Sequence, residues 1–276
     1  MATITAKDVN ELRKATGSGM MDCKKALVEA EGNLEKAIDI LRKKGQKVAE
    51  KRSGRDANEG AVFAFGSDTA AALVELNCET DFVARNEDFQ EMGATIAELV
   101  LKANPATMED LIALSMGEST IGESMTNAMG KIGEKISVGS YSVASADRVV
   151  TYIHPGARVG VSVAFTGVGS EDIATLGKDV AMQIAAMKPV AVDKDDVPAE
   201  IVEKEKEIAR DKARAEGKPE AILDKIAMGT VNKYYKLHTL LNQDFVKDTS
   251  KTVRQYLKEA NPDLKVKSFS RLQLGS

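Results

Sequence analysis

Four side chains in this 276-residue sequence could do bond chemistry together: Cys23, Cys78, His154 and His238. A thiol beside an imidazole makes a nucleophile and its base, and such partners need not be close in sequence. Cys78 or Cys23 with His154 is therefore a candidate pair. His154, however, precedes Pro155-Gly156, a turn signal, where an imidazole more often serves structure or an interface. Glu79 and Asp81 are a second candidate, two carboxylates for acid–base work, but carboxylates this close at a strand end are more often capping or solvated groups. Neither cysteine has partners at metal-ligand spacing, and two in 276 residues do not make a disulfide framework. No GxxxxGK loop, GxGxxG turn, HExxH helix or GxSxG elbow occurs. The expectation is a protein that is not an enzyme and needs no cofactor or metal.

Composition narrows the partners. With 38 Lys plus Arg against 42 Asp plus Glu, the formal charge of −4 supplies no field for phosphate backbones. Aromatic residues at 4% leave few platforms for stacking bases. Nucleic acid is not an expected partner, although Lys43, Lys44, Lys47, Lys51, Arg52 and Arg55 could touch one; that cluster reads as solvated linker. The 43% apolar and 29% charged fractions are those of a globular protein with ordinary cores. No run approaches the roughly 18 apolar residues of a membrane span. The opening MATITAKDVNELRK lacks the apolar centre of a secretion signal, so a cytoplasmic location is expected.

One stretch resists these bland readings. In NCETDFVARNEDF, residues 77 to 89, the pair Asp81-Phe82 stands in a polar segment between an apolar run and a helix-like pattern. A large ring there has no obvious core to enter.

The surrounding elements can be read from period and caps. Residues 5 to 45 form three short helices: Thr5 opens the first in a capping-box spacing with Asp8, and Gly17-Ser18-Gly19 ends it. The second places Cys23, Ala26, Leu27 and Ala30 on one side. Asn33 caps the third, which runs to Gly45. Met20 and Met21 point about 100° apart on a helix, so both cannot easily face one thin core, and an exposed methionine suits a binding surface. Residues 46 to 59 are charged, lack an apolar period and contain Gly54, the composition of a flexible linker.

Beyond it, Val62, Phe63 and Phe65 lead through Gly66-Ser67-Asp68 into AAALVEL, a β-hairpin, and a helix runs from an N-cap at Asn86 to Pro105. A second hairpin turns at His154-Pro155-Gly156 into alternating Val159, Val161, Val163 and Phe165, followed by a helix from Ser170 to Pro189. NEDFQEMGATIAELVLKANP and SEDIATLGKDVAMQIAAMKP match at one constant offset, including Phe89 with Ile173 and Gly93 with Gly177, which reads as an internal repeat. Between strand and helix the second copy has only TGVG, where the first has NCETDFVAR. The added residues carry Asp81 and Phe82, and lengthened loops are where function is grafted onto scaffolds. Two charged helices meeting at Gly217-Lys218-Pro219 make a hairpin arm over about 198–236, and a short helix and a closing strand, VKSFSRLQL, complete the chain.

The expected fold is α+β: residues 1–55 a three-helix module with linker, 56–145 a first hairpin-plus-helix unit, and 146–276 a second such unit with the arm.

ELRKATGSGMMDCKKAL (11–27), VELNCETDFVARNEDF (74–89) and HPGARVGV (154–161), followed by a GKPE-centred helical hairpin, closely resemble bacterial elongation factor Ts over nearly the whole chain. The resemblance implies a guanine-nucleotide exchange factor for elongation factor Tu, active in translation elongation, that binds no nucleotide itself. It implies a ubiquitin-associated-like N-terminal module that binds the GTPase's nucleotide domain, with Arg13, Met20 and Met21 in the corresponding motif. It implies that Thr80, Asp81, Phe82 and Val83 intrude near the magnesium site, the aromatic wedged between side chains of the GTPase. The part around His154 resembles the region that holds a more distant domain of Tu. Because the chain ends shortly after RLQL, a further C-terminal helix present in some members is expected to be missing. The alternative to exchange is a non-catalytic adaptor or scaffold that binds through the N-terminal module.

Overall fold

A computed structural model of the chain describes residues 4–169 and 172–275. Three helices open it: α1 (Ala6–Thr16), α2 (Met20–Glu29) and α3 (Leu34–Arg52). The Thr5 hydroxyl accepts from the Asp8 N–H, and the Asp8 carboxylate accepts from the Thr5 N–H at 2.8 Å, closing a capping box. Gly17, at φ 64, ends α1 in the left-handed region. Val9, Leu12, Cys23, Ala26, Leu27, Ala30 and Ala37 form the small core of these helices.

Here the structure departs from the sequence patterns. Helix α3 does not stop at Gly45 but continues to Arg52, into the first part of the stretch 46–59 expected to be a flexible linker. A glycine inside a helix costs roughly 1 kcal/mol relative to alanine, which is why its position reads as a stop. Gly45 is buried against α7 (Ile121–Ile132): a Cβ on its neighbour Gly130 would lie 2.6 Å from the Gly45 Cα. Close packing of the two helices offsets the propensity loss.

Two three-stranded antiparallel sheets lie beyond. In the first, β1 (Glu59–Gly66), β2 (Ala70–Cys78) and β5 (Ile136–Ser145) run in the order β1-β2-β5. In the second, β6 (Arg148–Ile153), β7 (Val159–Thr166) and β10 (Lys265–Gln273) run in the order β10-β7-β6. Small side chains, Ala71, Val149 and Ala164, fill the space between the sheets, and the Val62 N–H donates across to the Ala157 carbonyl at 2.7 Å. Helix α5 (Glu87–Ala103), capped by Asn86, covers the first sheet and buries Phe89, Ile96, Ala97 and Val100 on Val74 and Leu76. Helix α8 (Ala174–Met187) covers the second, with Val180 and Ile184 over Val161, Val163 and Phe165. The expected cap at Ser170 lies outside the described residues; the Asp172 carboxylate accepts from the Ala174 N–H at 2.9 Å where α8 begins.

The matched glycines have a physical reason. Gly93 of α5 lies directly on the Phe63 ring of β1, and a Cβ on Gly177 of α8 would come within 2.5 Å of Val150 of β6. Each helix crosses its hairpin at a place where a side chain has no room.

Residues 106–145, to which the apolar patterns assign no element, hold α6 (Met108–Ala113), the two-residue strands β3 (Ser115–Met116) and β4 (Ser119–Thr120), then α7 and β5. The sequence ISVGSYSVAS of β5 is too rich in Ser and Gly to read as a strand, yet β2 supplies its hydrogen-bond partners. Toward the C-terminus, α9 (Ala199–Ala215) and α10 (Leu223–His238) pair as a helical hairpin on buried Ala209, Ala213, Leu223, Ala227 and Val231. Its root is held by Asp193, which accepts from Asn242 at 2.8 Å and from Arg254 at 2.5 Å. The short hairpin of β8 (Asp244–Phe245) and β9 (Asp248–Thr252) and helix α11 (Val253–Ala260) lead into β10. The protein is thus a mixed helix-and-sheet α+β structure. Among the described residues no helix is long and apolar enough to cross a membrane.

Gly93→Ala is expected to lower stability in urea denaturation by about 1–3 kcal/mol through overpacking against Phe63. Gly54→Ala, whose added Cβ would meet nothing within 4 Å, should leave the unfolding free energy within about 0.5 kcal/mol of wild type.

Candidate functional site

Strand β2 ends at Cys78, and the chain turns at Thr80 into a single helical turn, α4 (Asp81–Ala84). Thr80 is its cap, extended at φ −128, ψ 154. Its hydroxyl donates to one oxygen of Glu134 at 2.8 Å and its N–H to the other at 3.0 Å. A charged acceptor that takes both donors of one residue leaves that residue little freedom. The far end of the turn is tied as well: the Asn86 N–H donates to the Val83 carbonyl, and Gln90 Nε2 donates to the Ala84 carbonyl at 2.6 Å. Val83 and Ala84 are buried in the core beneath α5.

Phe82 lies between these anchors and is 82% exposed. Sequestering a phenylalanine side chain stabilises by roughly 1.5–3 kcal/mol, and the fold forgoes that here. Asp81 pairs with Arg85 at 3.0 Å, i to i+4, with both groups in solvent. An exposed pair of this kind is worth well under about 1 kcal/mol, so its carboxylate can be given up to another donor.

Glu79 ties the turn to more distant elements. Its carboxylate accepts from Arg52 Nη1 at the end of α3, at 2.9 and 2.7 Å, and from the Lys135 N–H at 2.7 Å, with Arg55 3.8 Å away. Burial pushes the Glu79 carboxyl up, but the hydrogen bonds from Lys135 and Arg52 and the charges of Arg52 and Arg55 outweigh it and hold the group below the usual carboxylate range.

The expected chemistry groups are engaged otherwise. Burial, aided by the Glu134 charge, pushes the Cys78 thiol up to about 12, and it donates to the Thr80 carbonyl at 3.1 Å. A thiol with that pKa is not a nucleophile at neutral pH. Cys23 is buried and donates to the Ser18 carbonyl. His154 is exposed in the β6–β7 turn with Nδ1 2.9 Å from the Tyr152 hydroxyl.

Arg13 is exposed on α1. Met20 and Met21, of which one was expected in solvent, are both there, at 56% and 63%. Lys131 of α7 lies across Gly17, just before them, and donates to Asp88 of α5 at 2.8 Å. The α1–α2 corner and the start of α5 are therefore bridged by one side chain. Glu134 and Lys135 escaped the sequence patterns, and Arg52 and Glu79, which drew notice only as part of a solvated basic cluster and as a capping or solvated carboxylate, turn out to be partners. The one signal available was Gly133, a helix-ending glycine before a charged pair, which says nothing about partners 54 residues away.

Fold and turn together define an α+β protein that presents an exposed aromatic side chain on a tethered backbone turn and buries both of its cysteines. Residues 79–276 match the family described as Elongation factor TS. The Elongation factor Ts of Amoebophilus asiaticus is 50% identical over 275 residues, 99% of each chain. That of Cytophaga hutchinsonii is 50% identical over 281 residues, covering 99% of this chain and all of the relative. That of Azobacteroides pseudotrichonymphae is 48% identical over 271 residues, 98% of each. The chain belongs to the elongation factor Ts family, whose members are translation elongation factors of protein biosynthesis.

Replacing Glu134 by Ala should cost about 1.5–3 kcal/mol in denaturant unfolding and speed amide hydrogen exchange at Val83 and Ala84, since both Thr80 donors lose a charged acceptor. The Glu79 contacts carry a pH signature. A carboxyl lowered in the folded state contributes stability above the unfolded value of about 4.3, and loses it as pH falls through the folded value. Unfolding free energy followed from pH 6 to pH 3 should drop less steeply for Glu79→Gln than for wild type.

Proposed function

We propose that this protein is the guanine-nucleotide exchange factor for elongation factor Tu, and that Phe82 is the group it inserts near the GTPase's magnesium site. The observation that carries this reading is a phenylalanine 82% exposed on a turn held at both ends. A ring ordered before contact has already lost the entropy that binding would otherwise cost, so more of its burial is available to deform the partner. The target is vulnerable. Magnesium demands near-ideal octahedral geometry, and bound GDP depends on it and on its phosphates, so small displacements of the ligands release the nucleotide. Thr80 and Val83 hold the ring in place, and Asp81 can exchange its Arg85 partner for donors on the GTPase.

Accelerating release about ten-thousand-fold requires roughly 5.5 kcal/mol of interaction made only when the nucleotide is loosened. Phe82 supplies part. Further anchors are Arg13, Met20 and Met21, proposed to bind the nucleotide domain, and His154, proposed to hold a more distant domain. In this reading residues 1–55 act as a ubiquitin-associated-like module, 56–145 and 146–276 as related α+β units, and the arm at 198–236 as an appendage. The protein works in the cytoplasm, without cofactor and without breaking bonds. Reciprocity then makes incoming nucleotide weaken the factor's grip by the same ratio and eject it.

The test is release of fluorescent GDP from the cognate Tu at saturating factor. Phe82→Ala should reduce the acceleration about 10- to 100-fold, the equivalent of burying one ring. An unchanged rate would sink the wedge. If Met20→Ala and Met21→Ala then abolished all binding, the adaptor reading would take its place.

A further inference from the structure

The end of α3 and the turn that bears Phe82 are held by the same few residues. Helix α3 reaches this place because Gly45 and Gly130 let it lie directly on α7. Helix α7 then ends at Gly133, and the two residues that follow face in complementary ways. Glu134 takes both donors of Thr80. Lys135 donates its backbone N–H to Glu79, and its Nζ donates to the Ser53 carbonyl at 2.9 Å and the Arg55 carbonyl at 2.8 Å, the residues that terminate α3. Arg52 closes the circuit by donating to both oxygens of Glu79, the residue before Thr80. The Glu79 side chain is 12% exposed, so its charge depends on these donors.

We propose that Arg52 is a positioning residue for the Thr80–Val83 turn, coupling the docking of the N-terminal helices to the presentation of Phe82. This rests on the exchange reading above. Without Arg52, a nearly buried carboxylate keeps one backbone donor and a more distant Arg55, and it relaxes toward water. Glu79 is covalently adjacent to Thr80, so that relaxation pulls on the cap that Glu134 holds. The N-terminal helices thus do more than add a second contact surface. Their last side chain sets how firmly the ring is offered.

A double-mutant cycle on GDP release tests the coupling, because residues that act through one another are non-additive. Arg52→Ala is expected to lower the maximal release rate about tenfold while the half-saturating factor concentration moves less than about twofold, the split that distinguishes positioning from lost binding. Arg52→Lys, which keeps a donor, should recover most of the rate. In a Phe82→Ala background, Arg52→Ala should add less than a twofold effect. If Phe82→Ala alone has no effect, the exchange reading fails and not only the coupling. If Phe82→Ala slows release but Arg52→Ala either does nothing or multiplies its full effect onto the double variant, the coupling is overturned. Should Arg52→Ala lose helical circular dichroism, Glu79→Gln takes its place in the cycle under the same criteria.

Discussion

Phe82 can stand in water because Glu134 holds Thr80, two residues before it, by both of its donors. An isolated helical turn of four residues has too few internal hydrogen bonds to order itself. Here the order is imported. A carboxylate clamps the cap, a glutamine clamps the last carbonyl, and the two inward residues, Val83 and Ala84, are sunk in the core. The position of the Phe82 backbone depends on this clamp, since a mobile turn would have to be ordered in any contact that buried the ring.

The clamp in turn depends on a frame that fixes residues far apart in sequence. Glu134 stands at the junction where α7 hands over to β5, and β5 pairs with the strand that runs into the turn. The register of β2 on β5 places Cys78 opposite Ile136, so the end of one strand and the start of the other lie side by side. Small residues between the sheets and the glycines of α5 and α8 that face Phe63 and Val150 let the layers pack closely around that register. Cys78 belongs to this frame: its thiol is a buried donor for the turn, not a reagent.

Much of the local structure was legible. Thr5, Asn33 and Asn86 announce helix starts because a short polar side chain must satisfy exposed N–H groups there, and each does so. Alternation gave β7, and the glycines matched between the two repeats prove to be where α5 and α8 touch their hairpins. One misreading and one omission had a common cause. Gly45 looked like the end of a helix, and the Ser- and Gly-containing run of β5 carried no strand signal, because propensity records what a residue costs locally and is blind to what packs on it. Gly130 and β2 supply the missing terms from elsewhere in the chain.

The sequence by itself determined that Phe82 sits on an added segment between a strand and a helix, that the chain carries no recognisable catalytic motif, and that its motifs are those of the elongation factor Ts family. Only the tertiary structure decided that the segment is a helical turn tied at both ends and that α3 runs up to it. The reason is range. A cap or an alternating strand is written within a few residues, whereas the bonds from Arg52 to Glu79 and from Thr80 to Glu134 span 27 and 54 positions. Charged residues at such separations look alike on paper until folding selects which of them meet.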